Sequence, residues 1–217
     1  SYYCMEKKII ILTKSKKHSG YCVAGIDYET GEWIRLVSSD LETEGAVPWE
    51  DLQCSNGETL EVYDIIMCRL LRKCGTIVQP ENCLYDETVK WEKVGKSNLD
   101  EVIKIHGYDS VEYVFENEDT KLPADWIFSG NPSLCLLKVK DASIWVKTFE
   151  DKKISLNFTY DDIQYKYMSI SQIDLLNYYR NKTDDSYPLG TVTVVFSLTD
   201  KYYWNGKYYK VVAQILY

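Results

Sequence analysis

Asn205-Gly206 separates two runs of β-forming residues, 192–204 and 207–216, and no other local feature constrains the fold as strongly. A type I′ turn needs a positive φ at both central positions, which Asn and Gly adopt at little cost. The pair therefore predicts a two-residue hairpin, with a break in its first strand foreseeable near Thr199-Asp200.

The rest of the chain repeats the theme of short strand-sized runs between turn residues. Residues 7–13 read as a strand, and 21–28 alternate, with Cys22, Ala24, Ile26 and Tyr28 on one face. Glu29-Thr30-Gly31-Glu32 forms a turn that leads into a partner strand over 33–37. Further strands are expected over 60–71, 134–139, 143–149, 155–160 and 165–170, with a turn at Asp161-Asp162. Asn98 caps a short helix that runs to His106 and stops at Gly107. Ser171 with Asp174 resembles a capping box that opens a second helix to Arg180. Many strands with few short helices predict an all-β sandwich or barrel.

A chain of 217 residues, 45% hydrophobic, is long enough for one large domain or two small ones. The expected halves are 5–125 and 126–217. Residues before Met5, itself a candidate start, are set aside, and no leader pattern is seen there. Leu12-Thr13-Lys14 followed by Gly20 echoes Leu198-Thr199-Asp200 followed by Gly206, a hint that the halves are related. No run approaches the ~18–20 apolar residues of a membrane span, so a cytoplasmic protein without a membrane role is expected.

The seven cysteines, at positions 4, 22, 54, 68, 74, 83 and 135, contain no C-x-x-C pair, and there are only two histidines. Buried, reduced thiols are expected rather than a metal cage or a disulfide framework, and no cofactor is foreseen.

The net charge of −8 opposes indiscriminate binding to phosphate, yet the charge is segregated. Residues 7–18 carry Lys7, Lys8, Lys14, Lys16 and Lys17 with no acid, whereas 39–66 carry acids and no base. Thr13, Lys14, Ser15, Lys16, Lys17 and His18 read as a basic, hydroxyl-rich connector able to hold phosphate, with Arg35 nearby. The spacing is not that of a P-loop. Lys201, Tyr203, Trp204 and Lys207 form a second candidate, because aromatic faces stack on bases while lysines neutralise the backbone. His18 with Ser15 or Ser19 makes no recognisable catalytic set, so a binding module rather than an enzyme is expected.

The segments KIIILTKSKKHSGYCVAGID and GEWIRLVS within 8–38, QPEN at 79–82, NFTYDDIQYKYMSIS at 157–171 and FSLTDKYYWNGKYYKVVAQIL at 196–216 resemble landmarks of the dual OB-containing domain family of bacterial proteins, in the same order. That resemblance implies two OB-like barrels packed together. It also implies a ligand class that includes single-stranded nucleic acid, in a bacterial defence or nucleic-acid-processing system. Two other functions stay open at this point. One is a protein partner meeting the acidic stretch and the tyrosine-rich tip; the other is a small ligand or nucleotide sensed by the Lys14–Gly20 segment.

Overall fold

The structure is a computed structural model that describes residues 5–40, 42–126, 130–199 and 205–217. The chain forms two compact units. One runs through Gly107 and includes Gly130–Pro132; the other begins at Tyr108 and includes Ser133–Tyr217. The division thus falls earlier in the chain than the 125/126 boundary read from the sequence.

The first unit contains β1 (Met5–Lys17), β2 (Gly20–Asp27), β3 (Trp33–Val37), β4 (Asp64–Lys73), β5 (Asn82–Tyr85), β6 (Glu92–Lys96) and α1 (Leu99–Ile105). Strand order β1-β2-β3-β5-β4, with β4 pairing back to β1, closes a barrel, and β6 pairs with the start of β4 on the edge that β5 takes farther along. Ile9, Ile11, Val23, Ile34, Leu36 and Ile66 fill the interior, sealed by Tyr85 and Trp91 packed edge to face at 5.0 Å. Each such side chain contributes ~1.5–3 kcal/mol when fully buried. Gly25 permits the closest crossing, because a Cβ there would lie 1.8 Å from the Ile10 carbonyl oxygen.

The second unit contains β7 (Lys121–Leu122), β8 (Leu134–Thr148), β9 (Lys152–Tyr160), β10 (Ile163–Ile170), α2 (Ile173–Arg180), β11 (Asp185–Leu198) and β12 (Tyr208–Leu216). Its ring runs β8-β9-β10-β12-β11 and returns to β8. In each ring the third and fifth strands pair in parallel, β3 with β5 and β10 with β12, so one topology occurs twice. The core stacks Phe158 on Tyr165 at 5.1 Å, with Phe196 5.2 Å from Phe158. Lys210 of β12 is buried there, its Nζ 5.5 Å from the centre of the Tyr165 ring.

Several expectations need correction. β1 continues through the stretch read as a connector, so residues 14–17 are strand and only His18-Ser19 turns. Residues 134–139 and 143–149 are not separate strands; β8 is continuous through Asp141, whose φ is 50°. Ser171 does not cap α2: Gln172 precedes the helix without a side-chain cap, and the Ser171 hydroxyl faces the Val212 carbonyl at 3.5 Å.

The two-residue turn expected at Asn205-Gly206 would be closed by residues 201–204, which lie outside the described residues. Gly206 has φ 70°, and Asn205 Oδ1 accepts from the Lys207 amide at 2.9 Å. The Thr199 amide donates to the Tyr209 carbonyl at 2.9 Å, so β11 and β12 stay bonded through Thr199, and the break foreseen there falls on residues outside the described ones. Two consecutive positive φ values occur at Asp161 (49°) and Asp162 (64°), between the paired residues Tyr160 and Ile163. Short β6 and β7 carry little sequence pattern and were not foreseen. The Thr13/Thr199 echo joins the first strand of one barrel to the end of the fourth strand of the other, so it reflects no equivalence. The α1 expectation holds: Asn98 Oδ1 accepts from the Glu101 amide at 2.9 Å, and Gly107 has φ 77°.

Candidate nucleic-acid interface

The β8–β9 hairpin alternates strictly. Ile144, Val146, Leu156 and Phe158 point into the second barrel, which leaves Trp145, Lys147, Lys153, Ser155 and Asn157 on its outer face. Cross-strand register sets Lys147 opposite Lys153 and Trp145 opposite Ser155.

On β10 the alternation breaks. Tyr165 pairs with Phe158 and Met168 with Leu156, so Lys166 and Tyr167 together oppose Asn157. This two-against-one count is a β-bulge, and it sends two consecutive exposed side chains outward while Tyr165 and Met168 both stay in the core. Tyr167 has φ 60°, a left-handed conformation that costs an aromatic residue about 1–3 kcal/mol. Its amide donates to Asn157 Oδ1 at 2.7 Å.

The outcome is a group of three rings. Trp145 and Tyr167 lie 4.5 Å apart, and Phe149 lies 6.2 Å from Trp145. Tyr167 is 54% exposed and Phe149 60%. Exposed Lys147 and Lys153 lie on the same outer face as Trp145, and exposed Lys166 precedes Tyr167 in the bulge. The hairpin tip is braced. Asp184 accepts from both the amide and the hydroxyl of Thr148, which holds its carboxyl below the ordinary range. Lys152 Nζ donates to the Arg180 and Lys182 carbonyls at the end of α2. Glu150 and Asp151 in the same tip are the nearest acids in sequence. Three rings and these cations on a fixed strand surface can stack on planar groups and neutralise an anionic backbone.

In the first barrel, Tyr21 lies opposite Lys16, and its ring is 6.2 Å from that of Trp49, which is 53% exposed on the 3-10 turn Trp49–Leu52. Acids crowd the other end of this turn. A cavity of about 210 Å³ is lined by Glu50, Asp51, Asp86 and Glu87, together with Lys90 and Tyr85. Burial pushes the Asp51 carboxyl up even though the Tyr85 hydroxyl donates to it at 2.5 Å.

A sequence profile of the dual OB-containing domain matches residues 7–215, nearly the whole chain. The chain belongs to the dual OB-containing domain family. Comparison with curated proteins gave no match, and comparison with solved structures gave none. In an OB barrel the ligand face is the surface of the second and third strands with the loop joining the first two. In the second barrel of this dual OB domain, those elements are β9, β10 and the tip after Thr148; Tyr167 and Phe149 lie on them, and Trp145 lies beside them on β8.

The structure separates the residues expected to bind. Thr13 and Ser15 are buried, and the Thr13 hydroxyl donates to the Cys22 carbonyl. Lys14 Nζ donates to the Leu60 carbonyl at 2.9 Å. Arg35 is 2% exposed, its guanidinium 2.7 Å from Cys22 Sγ and 3.9 Å from the Glu81 carboxylate, so it ties β3 to the start of β5 rather than facing a ligand. Lys16 and His18 are exposed and Lys17 is half-buried, with His18 Nε2 2.8 Å from Glu44. Lys207 is half-buried in the second unit. Lys201, Tyr203 and Trp204 lie outside the described residues. Trp145, Phe149 and Tyr167 escaped the sequence reading; the signal was the Tyr165-to-Met168 spacing of three between core residues in a strand.

Among the described cysteines, 22, 54, 68, 83 and 135 are buried thiols and Cys74 is partly so. Burial pushes the Cys83 thiol up to about 11. Among the described residues no helix is long and apolar enough to cross a membrane.

Proposed function

We propose that this dual OB domain binds single-stranded nucleic acid on the outer face of its second barrel and performs no catalysis. One observation carries the reading: Trp145, Phe149 and Tyr167 share an exposed face with Lys147, Lys153 and Lys166. Stacking a base on such a ring contributes ~1–3 kcal/mol and requires an unpaired strand, because a duplex hides its base faces. The lysines supply phosphate contacts, while the net charge of −8 keeps the affinity modest. Such a module fits a nucleic-acid-processing or bacterial defence system.

The phosphate cradle imagined at 14–20 loses its basis, since Lys14 and Arg35 are committed inside the fold. The carboxylate-lined cavity of the first barrel favours a second reading, in which a basic segment of a protein partner docks there.

Fluorescence titration with a labelled oligo-dT, a matched duplex and a neutral oligosaccharide tests the proposal. Single strands should bind preferentially, with a log–log salt slope of roughly −2 for three contacts. Trp145→Ala should weaken binding by ~1–3 kcal/mol with the slope unchanged. No oligonucleotide binding at low salt, or equal binding of the uncharged sugar, would refute it.

A further inference from the structure

The bulge on β10 breaks two local rules together: it interrupts the strand alternation, and it holds a tyrosine at φ 60°. Nothing in the core requires either departure. Tyr165 and Met168 would remain core residues in an unstrained strand only if the chain were one residue shorter, which would leave no second outward side chain. The extra residue turns Lys166 and Tyr167 both outward and sets the Tyr167 ring beside Trp145. A strained residue persists only where its surroundings over-determine it, and here the neighbour opposite supplies the restraint. Asn157 sits across the ladder from both bulge residues, and its Oδ1 accepts the Tyr167 amide proton at 2.7 Å. Its backbone is meanwhile registered against Ser143 of β8, the strand that carries Trp145. One residue thus links the strand bearing one ring to the strand bearing the other, through its side chain on one side and its backbone on the other.

We infer that Asn157 is a positioning residue, fixing the Tyr167–Trp145 ring pair as a preformed stacking floor for the bases of a single strand. The inference rests on the single-strand reading for its ligand but not for its geometry. A ring held in place before the ligand arrives loses less freedom on binding, so releasing it lowers affinity without removing any ring or charge.

The test is ¹⁹F NMR of full-length protein labelled with 5-fluorotryptophan, the Trp145 resonance being assigned with Trp145→Phe, alongside oligo-dT titration. Asn157→Ala should shift and broaden the Trp145 resonance in the free protein. It should also weaken oligo-dT binding about tenfold, within the range that one stacked base supplies, while the salt slope stays unchanged. Asn157→Asp keeps an acceptor at the same position and should restore the resonance. Asn157→Gln, which displaces the acceptor, gives a second reading if Asn157→Ala does not fold. An unchanged Trp145 resonance in the folded variants overturns the inference, as does a shifted resonance with unaltered affinity. Wild-type protein that ignores oligo-dT would overturn the nucleic-acid reading instead, leaving the ¹⁹F result to decide whether Asn157 holds the ring.

Discussion

Lys210 Nζ donates to two oxygens of one residue, the Asn117 carbonyl at 2.8 Å and the Asn117 Oδ1 at 2.7 Å. The Tyr165 hydroxyl donates to the same carbonyl at 3.1 Å, so a buried amine and a buried phenol hold one strand-free segment. Phe115 and Glu116 precede it with φ values of 53° and 71°. Both partners are neutral, and burial depresses the Lys210 amine to about 7, with Asp119 and Glu116 only partly opposing the shift.

Between pH 7 and 10.5 the unfolded chain then carries a proton on this amine that the folded chain lacks, and stability should rise with pH over that interval. Buried Cys83 and half-buried Tyr63, pushed up to about 11 and about 12, act in the opposite direction at the alkaline end. The useful quantity is therefore the difference between wild type and Lys210→Met. In urea unfolding at pH 7.5, 8.5 and 9.5 that difference should grow in favour of wild type by about 1.4 kcal/mol per unit. A flat difference would mean that the amine is charged in the folded protein.

Arg35→Ala should destabilise the first barrel by about 3–5 kcal/mol, because it removes the buried guanidinium that faces the buried Glu81 carboxylate. Oligonucleotide affinity, measured where the variant is still folded, should stay within twofold of wild type. A large loss of affinity with little change in urea midpoint would return Arg35 to the ligand.

The two basic groups can be told apart by salt. Lys147→Ala with Lys153→Ala should flatten the oligo-dT slope by about 1.4, whereas Lys16→Ala with Lys17→Ala should leave it nearly unaltered. The reverse outcome would move the strand to the first barrel.

Replacing Asp161 and Asp162 with Asn and Gly should stabilise the protein by about 0.5–2 kcal/mol, since both aspartates hold positive φ that the new pair adopts more readily. Thermal unfolding of the double variant at pH 7 checks this. A lower melting temperature would show that the carboxylates serve the turn in another way.

Regular periodicity made most of the fold legible in advance. The β2–β3 hairpin and the helix between Asn98 and Gly107 follow from local rules that tertiary context left intact. Chemistry at the turns was less faithful. Ser171 with Asp174 obeys the composition rule for a capping box, yet Gln172 precedes α2 without a side-chain cap. The basic connector misled for a different reason: burial cannot be read from residue type, and Arg35 and Ser15 are polar side chains in sealed positions. The ring cluster stayed hidden because its members, at 145, 149 and 167, come together only through cross-strand register and a bulge. Neither leaves more than a one-residue irregularity in the chain.

The two rings also differ in when they can close during synthesis. The first needs nothing beyond Tyr85 to complete its circuit of strands. The second cannot close until β12 has emerged, because that strand alone bridges β10 and β11. Until then β10 and β11 each present an unsatisfied edge, a template for pairing with a neighbouring chain. A nascent molecule stalled before residue 208 is therefore half-assembled and adhesive, and the ring-bearing face is the last part of the protein to gain a stable foundation.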